Sequence, residues 1–378
     1  MATITYLTTI QFDFGALRLL PGELQRLGVT RPLIVTDRGV VAAGLLARVT
    51  EAIGSAADAR TWDGTPPNPT EDAVMLAAQV YREQGCDGLV AVGGGSSIDL
   101  AKAVALIATH PEPLLQYAAV EGGAARITAK VAPLVAIPTT AGTGSEVGRG
   151  SVIVMRNGRK LGLLSPHLLP KVALCDPELT LGLPAMLTAA TGMDAIAHCI
   201  ETFCAPPVNP PAEAIALDGL RRGCAHIERA TRDGGDRQAR WEMMMAAMEG
   251  AMAFQKGLGA VHALSHPLGA LKGRPLHHGT LNAVLLPAVL RFNAPVLEAK
   301  ARTLTDAMGL PAGADPAAFI EGLNARLGLP AGLAAMGVRR EDLPGIADAA
   351  LLDHCHATNP RVATRDDYLA MLEAAFEG

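Results

Sequence analysis

Aromatic residues are scarce in this chain, 3 % of 378 positions, so its core is expected to be built from Ala, Val, Leu, Ile and Met. No CxxC pair occurs among the six cysteines at 86, 175, 199, 204, 224 and 355, which excludes a zinc ribbon and gives no disulfide framework. Reduced, mostly buried thiols in a cytoplasmic protein are expected. No long run of one charge sign appears, and the formal net charge is only −5. That balance argues against nucleic acid or an anionic membrane surface as the main partner. No uncharged apolar run reaches about 18 residues without a Gly or Pro break, so no membrane span is expected. The opening MATITYLTTIQFDFG lacks the basic start and apolar stretch of a signal peptide.

What is present is length and alternation. At about 150 residues per domain the chain suits two to three domains. In the first half, β-rich runs at Pro32–Thr36, Gly88–Val92, Pro133–Ile137 and Lys171–Cys175 alternate with helical patterns near 40–54, 70–85 and 97–109. Apolar strands separated by helices predict a parallel sheet covered on both faces. Thr70 followed by Glu71 and Asp72 is a helix start, a capping oxygen with acids at the positive end of the dipole. Beyond about residue 180 the strand signal fades. Helices are expected at 184–204, 210–230, 236–256, 258–271, 279–292, 295–308, 315–327 and 365–377. The division is therefore an α/β domain over 1–180 and an all-helical domain over 181–378.

Two Gly-rich loops follow apolar strands. Residues 93–99 read GGGSSID, where glycines admit an anion close to the backbone and the next helix offers free N–H groups to phosphate. The segment has neither the Rossmann fingerprint nor the GK[ST] of a Walker loop. Residues 138–146 read PTTAGTGSE and add the hydroxyls of Thr139, Thr140, Thr143 and Ser145. Both loops lie at carboxyl ends of parallel strands, where they are expected to converge on a nucleotide crevice. Asp37 ends another strand, either as an acceptor for ribose hydroxyls that repels a 2′-phosphate or as a turn residue before Gly39.

Six of the ten histidines fall between 198 and 278. Asp194 and His198 stand at i, i+4 in GMDAIAHCIE, and His262 and His266 repeat the spacing in VHALSH, so each pair shares a helix face. His277 and His278 precede Gly279 at another helix start. A carboxylate with imidazoles and no thiolate is the donor set of a catalytic divalent metal. Together with a nucleotide crevice it points to hydride transfer, the metal polarising an alcohol or carbonyl oxygen.

GGGSSIDLAKA, PTTAGTGSEV, DPELT, GMDAIAHCIE and VHALSHPLG followed by HHG resemble the iron-containing (group III) alcohol dehydrogenases, from about residue 68 to 290. The resemblance implies a dehydroquinate-synthase-like fold, with an α/β nucleotide-binding domain and a helical metal domain. It implies metal ligation by Asp194, His198, His262 and the His before Gly, here His278. The segment from the HPLG histidine to this residue is two longer than usual in the family, which leaves His277 as the alternative. His266 matches a histidine near the metal that does not bind it and suits a proton relay. Gly94, Gly95, Ser96, Asp99, Asn68, Thr139, Thr140, Thr143, Lys160 and Leu179 fall where the family meets its dinucleotide, with Asp37 favouring NAD over NADP. Fe²⁺ is the implied metal and Zn²⁺ the alternative. The wording TYLTTIQFDFGALRLLP and DHCHATNPR is most similar to the branch that interconverts 4-hydroxybutyrate and succinate semialdehyde. Arg149, with Lys256 and Lys272 as alternatives, is the candidate partner of that substrate's carboxylate. The implied enzyme is a cytoplasmic homo-oligomer acting on a small alcohol or aldehyde. The competing readings are an uncharged alcohol or diol as substrate, a metal-free maleylacetate reductase, a dehydroquinate-synthase-like lyase and a non-catalytic nucleotide sensor. Asp194 disfavours the reductase, and the shortage of Lys and Arg around 248–280 disfavours the lyase.

Overall fold

The structure is a computed structural model that describes residues 8–271, 273–274 and 276–377. Contacts divide the chain into two compact units: an α/β unit running to residue 182, and a helical unit of 183–377 that also takes in the short segment 141–143.

The α/β unit carries eight strands: β1 (Thr9–Phe12), β2 (Pro32–Val35), β3 (Arg60–Trp62), β4 (Gly88–Gly93), β5 (Leu134–Pro138), β6 (Gly150–Val154), β7 (Lys160–Leu164) and β8 (Val172–Cys175). Six of them form one parallel sheet in the order β1-β8-β5-β4-β2-β3. The four apolar runs read from the sequence are its central strands, and β2, β4, β5 and β8 are buried along their whole length. Helices α1 (Leu20–Leu27), α2 (Arg38–Ala42), α3 (Leu45–Ile53), α4 (Glu71–Glu83) and α5 (Gly95–Ile107) belong to this unit. Two apolar clusters divide the sheet's side chains by strand alternation: Leu33, Val35, Leu89 and Ala91 in one, Ile34, Val90 and Val92 in the other. Thr70 caps α4, its hydroxyl accepting the Ala73 N–H at 3.2 Å. The segment expected as one helix over 40–54 is two, parted at Gly44, whose φ of +75° is left-handed.

The helical unit contains α6 (Ala185–Cys204), α7 (Pro210–Arg232), α8 (Arg237–Ala253), α9 (Ala260–Gly269), α10 (His278–Asn293), α11 (Glu298–Ala307), α12 (Pro316–Arg326), α13 (Leu343–Ala350) and α14 (Arg365–Ala374). From Thr188 to Cys204 every residue of α6 is buried, so this helix is the unit's axis rather than an amphipathic surface element. Helices α7, α8 and α10 pack on it. Small residues permit the approach: a Cβ on Gly250 of α8 would lie 3.1 Å from His198 Cβ. Among the described residues no helix is long and apolar enough to cross a membrane, and all six thiols are free.

Candidate nucleotide and metal sites

In the α/β unit the two Gly-rich loops meet. The Thr139 N–H donates to the Gly93 carbonyl at 3.0 Å, and a Cβ on Gly94 would lie 3.2 Å from Thr140 Oγ1. Gly93 has φ +150°, and a Cβ there would stand 2.6 Å from Ser97 Oγ, so the turn into α5 requires glycine. Gly94 caps α5 without a side chain, which leaves the helix's opening N–H groups, beginning at Gly95, without a side-chain cap. That is the geometry of a phosphate cradle. Asp37 takes the turn role, capping α2 through the Val40 N–H (3.0 Å), and also lies against this turn, accepting the Ser97 hydroxyl at 3.0 Å. Nearby, Lys160 Nζ donates to Asn68 Oδ1 at 3.0 Å, and the Ser96 hydroxyl donates to the neighbouring Pro67 carbonyl at 2.5 Å. Leu179 is buried in the apolar core beside the sheet.

Asp99 and Lys102, one turn apart on α5, grip the second loop. The Asp99 carboxylate accepts the Ser145 hydroxyl (2.5 Å) and the Val152 N–H (2.9 Å). Lys102 is completely buried, and its Nζ donates to the carbonyls of Ser145, Gly148 and Gly150 at 2.6–2.8 Å. Burial lowers its pKa to about 8. Asp99 therefore braces the loop, and Lys102 is a site-building residue that sequence reasoning passed over. Its signal was an ammonium on an otherwise apolar helix.

In the helical unit, Asp194 and His198 on α6, His262 on α9 and His278 on α10 come together. The Nε2 atoms of His198, His262 and His278 each lie 3.7 Å from the same oxygen, Asp194 Oδ1. Ligand atoms of Asp194, His262 and His278 lie within 4.8 Å of one another. Arms of about 2.0–2.2 Å to a tetrahedral cation put neighbouring donors about 3.3–3.6 Å apart, so the cage has close to the dimensions of a metal site. A carboxylate buried among imidazoles, with no Lys or Arg paired to it among the described residues, fits a divalent cation. Burial pushes the Asp194 carboxyl up, but the His198, His278 and His262 rings outweigh it and hold the group far below its usual range. His277 is exposed and serves as the N-cap of α10, its ring accepting the Thr280 N–H at 3.4 Å, so of the two candidates the structure brings only His278 to the cage.

Two residues around the cage were not anticipated. Glu201, one turn beyond His198 on the same face of α6, accepts the Val261 N–H (2.8 Å) and the His262 Nδ1–H (2.5 Å). This bond fixes the His262 tautomer and aims Nε2 inward. Although burial opposes it, the Glu201 and Asp194 carboxylates raise the pKa of His262 to about 9. Asn282, one turn after His278, places Nδ2 2.6 Å from Asp194 Oδ1 and 3.2 Å from the Nε2 atoms of His262 and His278. The Glu201 signal was legible, since Asp194, His198 and Glu201 share one face at i, i+4 and i+7. Asn282 lay at i+4 from His278 but carries no charge to mark it.

His266 stacks on His278 with centroids 5.7 Å apart, and its Nδ1 bonds Asp353 Oδ2 at 2.9 Å. Lys256 is a correction. Its buried Nζ donates to the carbonyls of Thr202 and Phe203 (2.9 and 3.3 Å) and to that of Ala205, and pairs with Glu213 at 3.1 Å. It ties off the orphan carbonyls at the C-terminus of α6 and has no donor left for a substrate. Arg149 is exposed in the α/β unit, and Lys272 lies outside the described residues.

A phosphate cradle on a parallel sheet and a buried carboxylate–imidazole cage are the parts of a nucleotide- and metal-dependent oxidoreductase. The chain belongs to the iron-containing alcohol dehydrogenase family: that family's model matches residues 8–177, and the model of its C-terminal region matches 188–376. The chain is 62 % identical to a 4-hydroxybutyrate dehydrogenase of Cupriavidus necator, over 99 % of both chains. A crystal structure of a 1,3-propanediol oxidoreductase superposes with a TM-score of 0.93 at 35 % identity, over 99 % of this chain and 100 % of the other. A sulfoacetaldehyde reductase of Bifidobacterium kashiwanohense in complex with NAD⁺ gives 0.89 at 28 % identity, over 99 % and 98 %.

Proposed function

We propose that this protein is an NAD-linked, metal-dependent 4-hydroxybutyrate dehydrogenase that interconverts 4-hydroxybutyrate and succinate semialdehyde. The observation that carries the reading is the 62 % identity to the Cupriavidus enzyme over 99 % of both chains. The buried cage supports the metal, and the NAD⁺ complex among the structural neighbours supports the cofactor. Asp194, His198, His262 and His278 hold one divalent cation, Fe²⁺ in keeping with the family and Zn²⁺ as the alternative. When bound, the cation supplies Lewis acidity toward an alcohol or carbonyl oxygen, and the dinucleotide supplies the hydride acceptor or donor.

The chain's own residues do the rest. Glu201 keeps the Nδ1 proton on His262, so the Nε2 proton is the one a bound cation would displace. Asp353 holds a proton at His266 Nδ1 by the same device, which leaves Nε2 to accept the alcohol proton. Gly94, Gly95 and Ser96 offer the α5 N-terminus to the pyrophosphate, while Asn68, Asp99, Thr139, Thr140, Thr143, Lys160 and Leu179 line or brace the dinucleotide site. Asp37 selects NAD against a 2′-phosphate. Arg149 is the candidate for the substrate carboxylate. A homo-oligomer in the cytoplasm completes the reading.

The test is the rate of NAD⁺ reduction by purified protein on 4-hydroxybutyrate, 1,3-propanediol and 1,4-butanediol. A kcat/KM at least about tenfold higher on the hydroxy acid is expected, the value of a charge-assisted carboxylate contact. Equal or better use of the diols overturns the substrate, and no NADH from any of the three overturns the dehydrogenase reading.

A further inference from the structure

Beside the cage lies a second group of donors that the dehydrogenase reading does not use as ligands. His266, Asp353, His354 and Cys355 each offer a ligand atom within 4.8 Å of all the others. His266 and Cys355 are buried, and Asp353 and His354 half-buried. Within the group His266 Nδ1 lies 2.9 Å from Asp353 Oδ2, and His354 Nε2 lies 3.5 Å from Cys355 Sγ. A tetrahedron with arms of about 2.0–2.1 Å to nitrogen or oxygen and about 2.3 Å to sulfur has edges of about 3.3–3.6 Å, so the four donors stand close enough to converge on one cation once the His266–Asp353 hydrogen bond opens. Three donors come from consecutive residues on one turn, and the fourth is held over them by the stacking of His266 on His354 at 5.6 Å. Unlike the first cage, this set contains a thiol, so the two sites differ in softness.

We propose that His266, Asp353, His354 and Cys355 form a second site for a thiophilic divalent cation, of which Zn²⁺ is the type. On binding, the Cys355 S–H bond breaks, its proton passes to solvent and a sulfur–metal bond forms, with no change of oxidation state. Filling the site takes His266 Nδ1 and Asp353 out of their mutual hydrogen bond. Excess cation therefore inhibits turnover, a consequence that rests on the reading of His266 as the proton acceptor.

Co²⁺ titration of the metal-loaded enzyme tests the site independently of activity. The first cage has only nitrogen and oxygen donors, so a thiolate-to-cobalt charge-transfer band in the near ultraviolet reports the second site alone. One added equivalent with that band is expected in the wild type. The band is lost in Cys355→Ser, and His354→Gln binds at least about tenfold more weakly. Should Cys355→Ser fail to fold by circular dichroism, His354→Gln carries the test. No band in the wild type, a band that survives Cys355→Ser, or unchanged affinity in His354→Gln overturns the site. Binding with the expected band but without inhibition leaves the site standing and removes His266 from the proton path.

Discussion

Lys102 and Glu146 show what single residues contribute to building the nucleotide site. The ammonium of Lys102 is satisfied by loop carbonyls, whereas burial raises the Glu146 carboxyl to about 7 despite the nearby Lys102 charge. A group with a raised folded pKa stabilises the fold fully below its unfolded value and loses that stabilisation as pH rises through the folded one. Glu146 thus makes the protein less stable between about pH 4.5 and 7, by about 3 kcal/mol at most. Glu146→Gln is expected to flatten that part of the pH–stability curve in urea unfolding, and an unaltered slope means that the buried carboxyl is not its source. Asp37→Gly removes the side-chain cap of α2, costing only about 0.3 kcal/mol because glycine is itself tolerated at this position, and removes the charge proposed to disfavour a 2′-phosphate. The ratio of kcat/KM for NADP to that for NAD is expected to rise about tenfold, and an unchanged ratio dissociates Asp37 from cofactor choice. Residues with chemistry written in their type and spacing, such as Asp194, His198 and His262, were legible in the sequence. Lys102, Asn282 and Asp353 were not, because their partners lie 43 to 88 positions away.

At the scale of elements, the motif that closes the cage is explained by contact between α10 and α6. A Cβ on Gly279 would overlap the Ala190 carbonyl and stand 3.3 Å from Asp194 Cβ. Gly279→Ala is expected to cost about 1–3 kcal/mol, typical of overpacking, and to lower metal affinity by moving His278 away from Asp194. Full metal content at wild-type stability would show that α10 has room to shift. The central strands and most helices could be read from apolar runs and 3.6-residue periodicity. The antiparallel pair β6–β7 was missed, although Asn157-Gly158 between two short runs is a hairpin signal and Gly158 takes φ +82°. Helices α1 and α13 were missed because Pro and Gly in LPGELQRL and LPGIADAA read as turns; in both, the Pro sits in the first turn, where helices tolerate it. Pairing of β1 with β8 depends on contacts across some 160 residues, which no local pattern encodes.

For the whole molecule, the division of labour follows from what each unit can bury. Parallel strands present helix N-termini to an anion, and the helical unit buries a carboxylate among imidazoles and the Asn282 amide. Family membership joins the two halves, since its two models match 8–177 and 188–376 in one chain. Metal content tests the cage most directly. After dialysis against metal-free buffer, inductively coupled plasma mass spectrometry on the wild type should give one divalent ion per chain. His198→Ala, folded by circular dichroism, should retain less than about a tenth of that and lose NAD-linked turnover with it. A wild type without metal, or a variant that keeps its full equivalent, contradicts the assignment of Asp194, His198, His262 and His278 as the metal site.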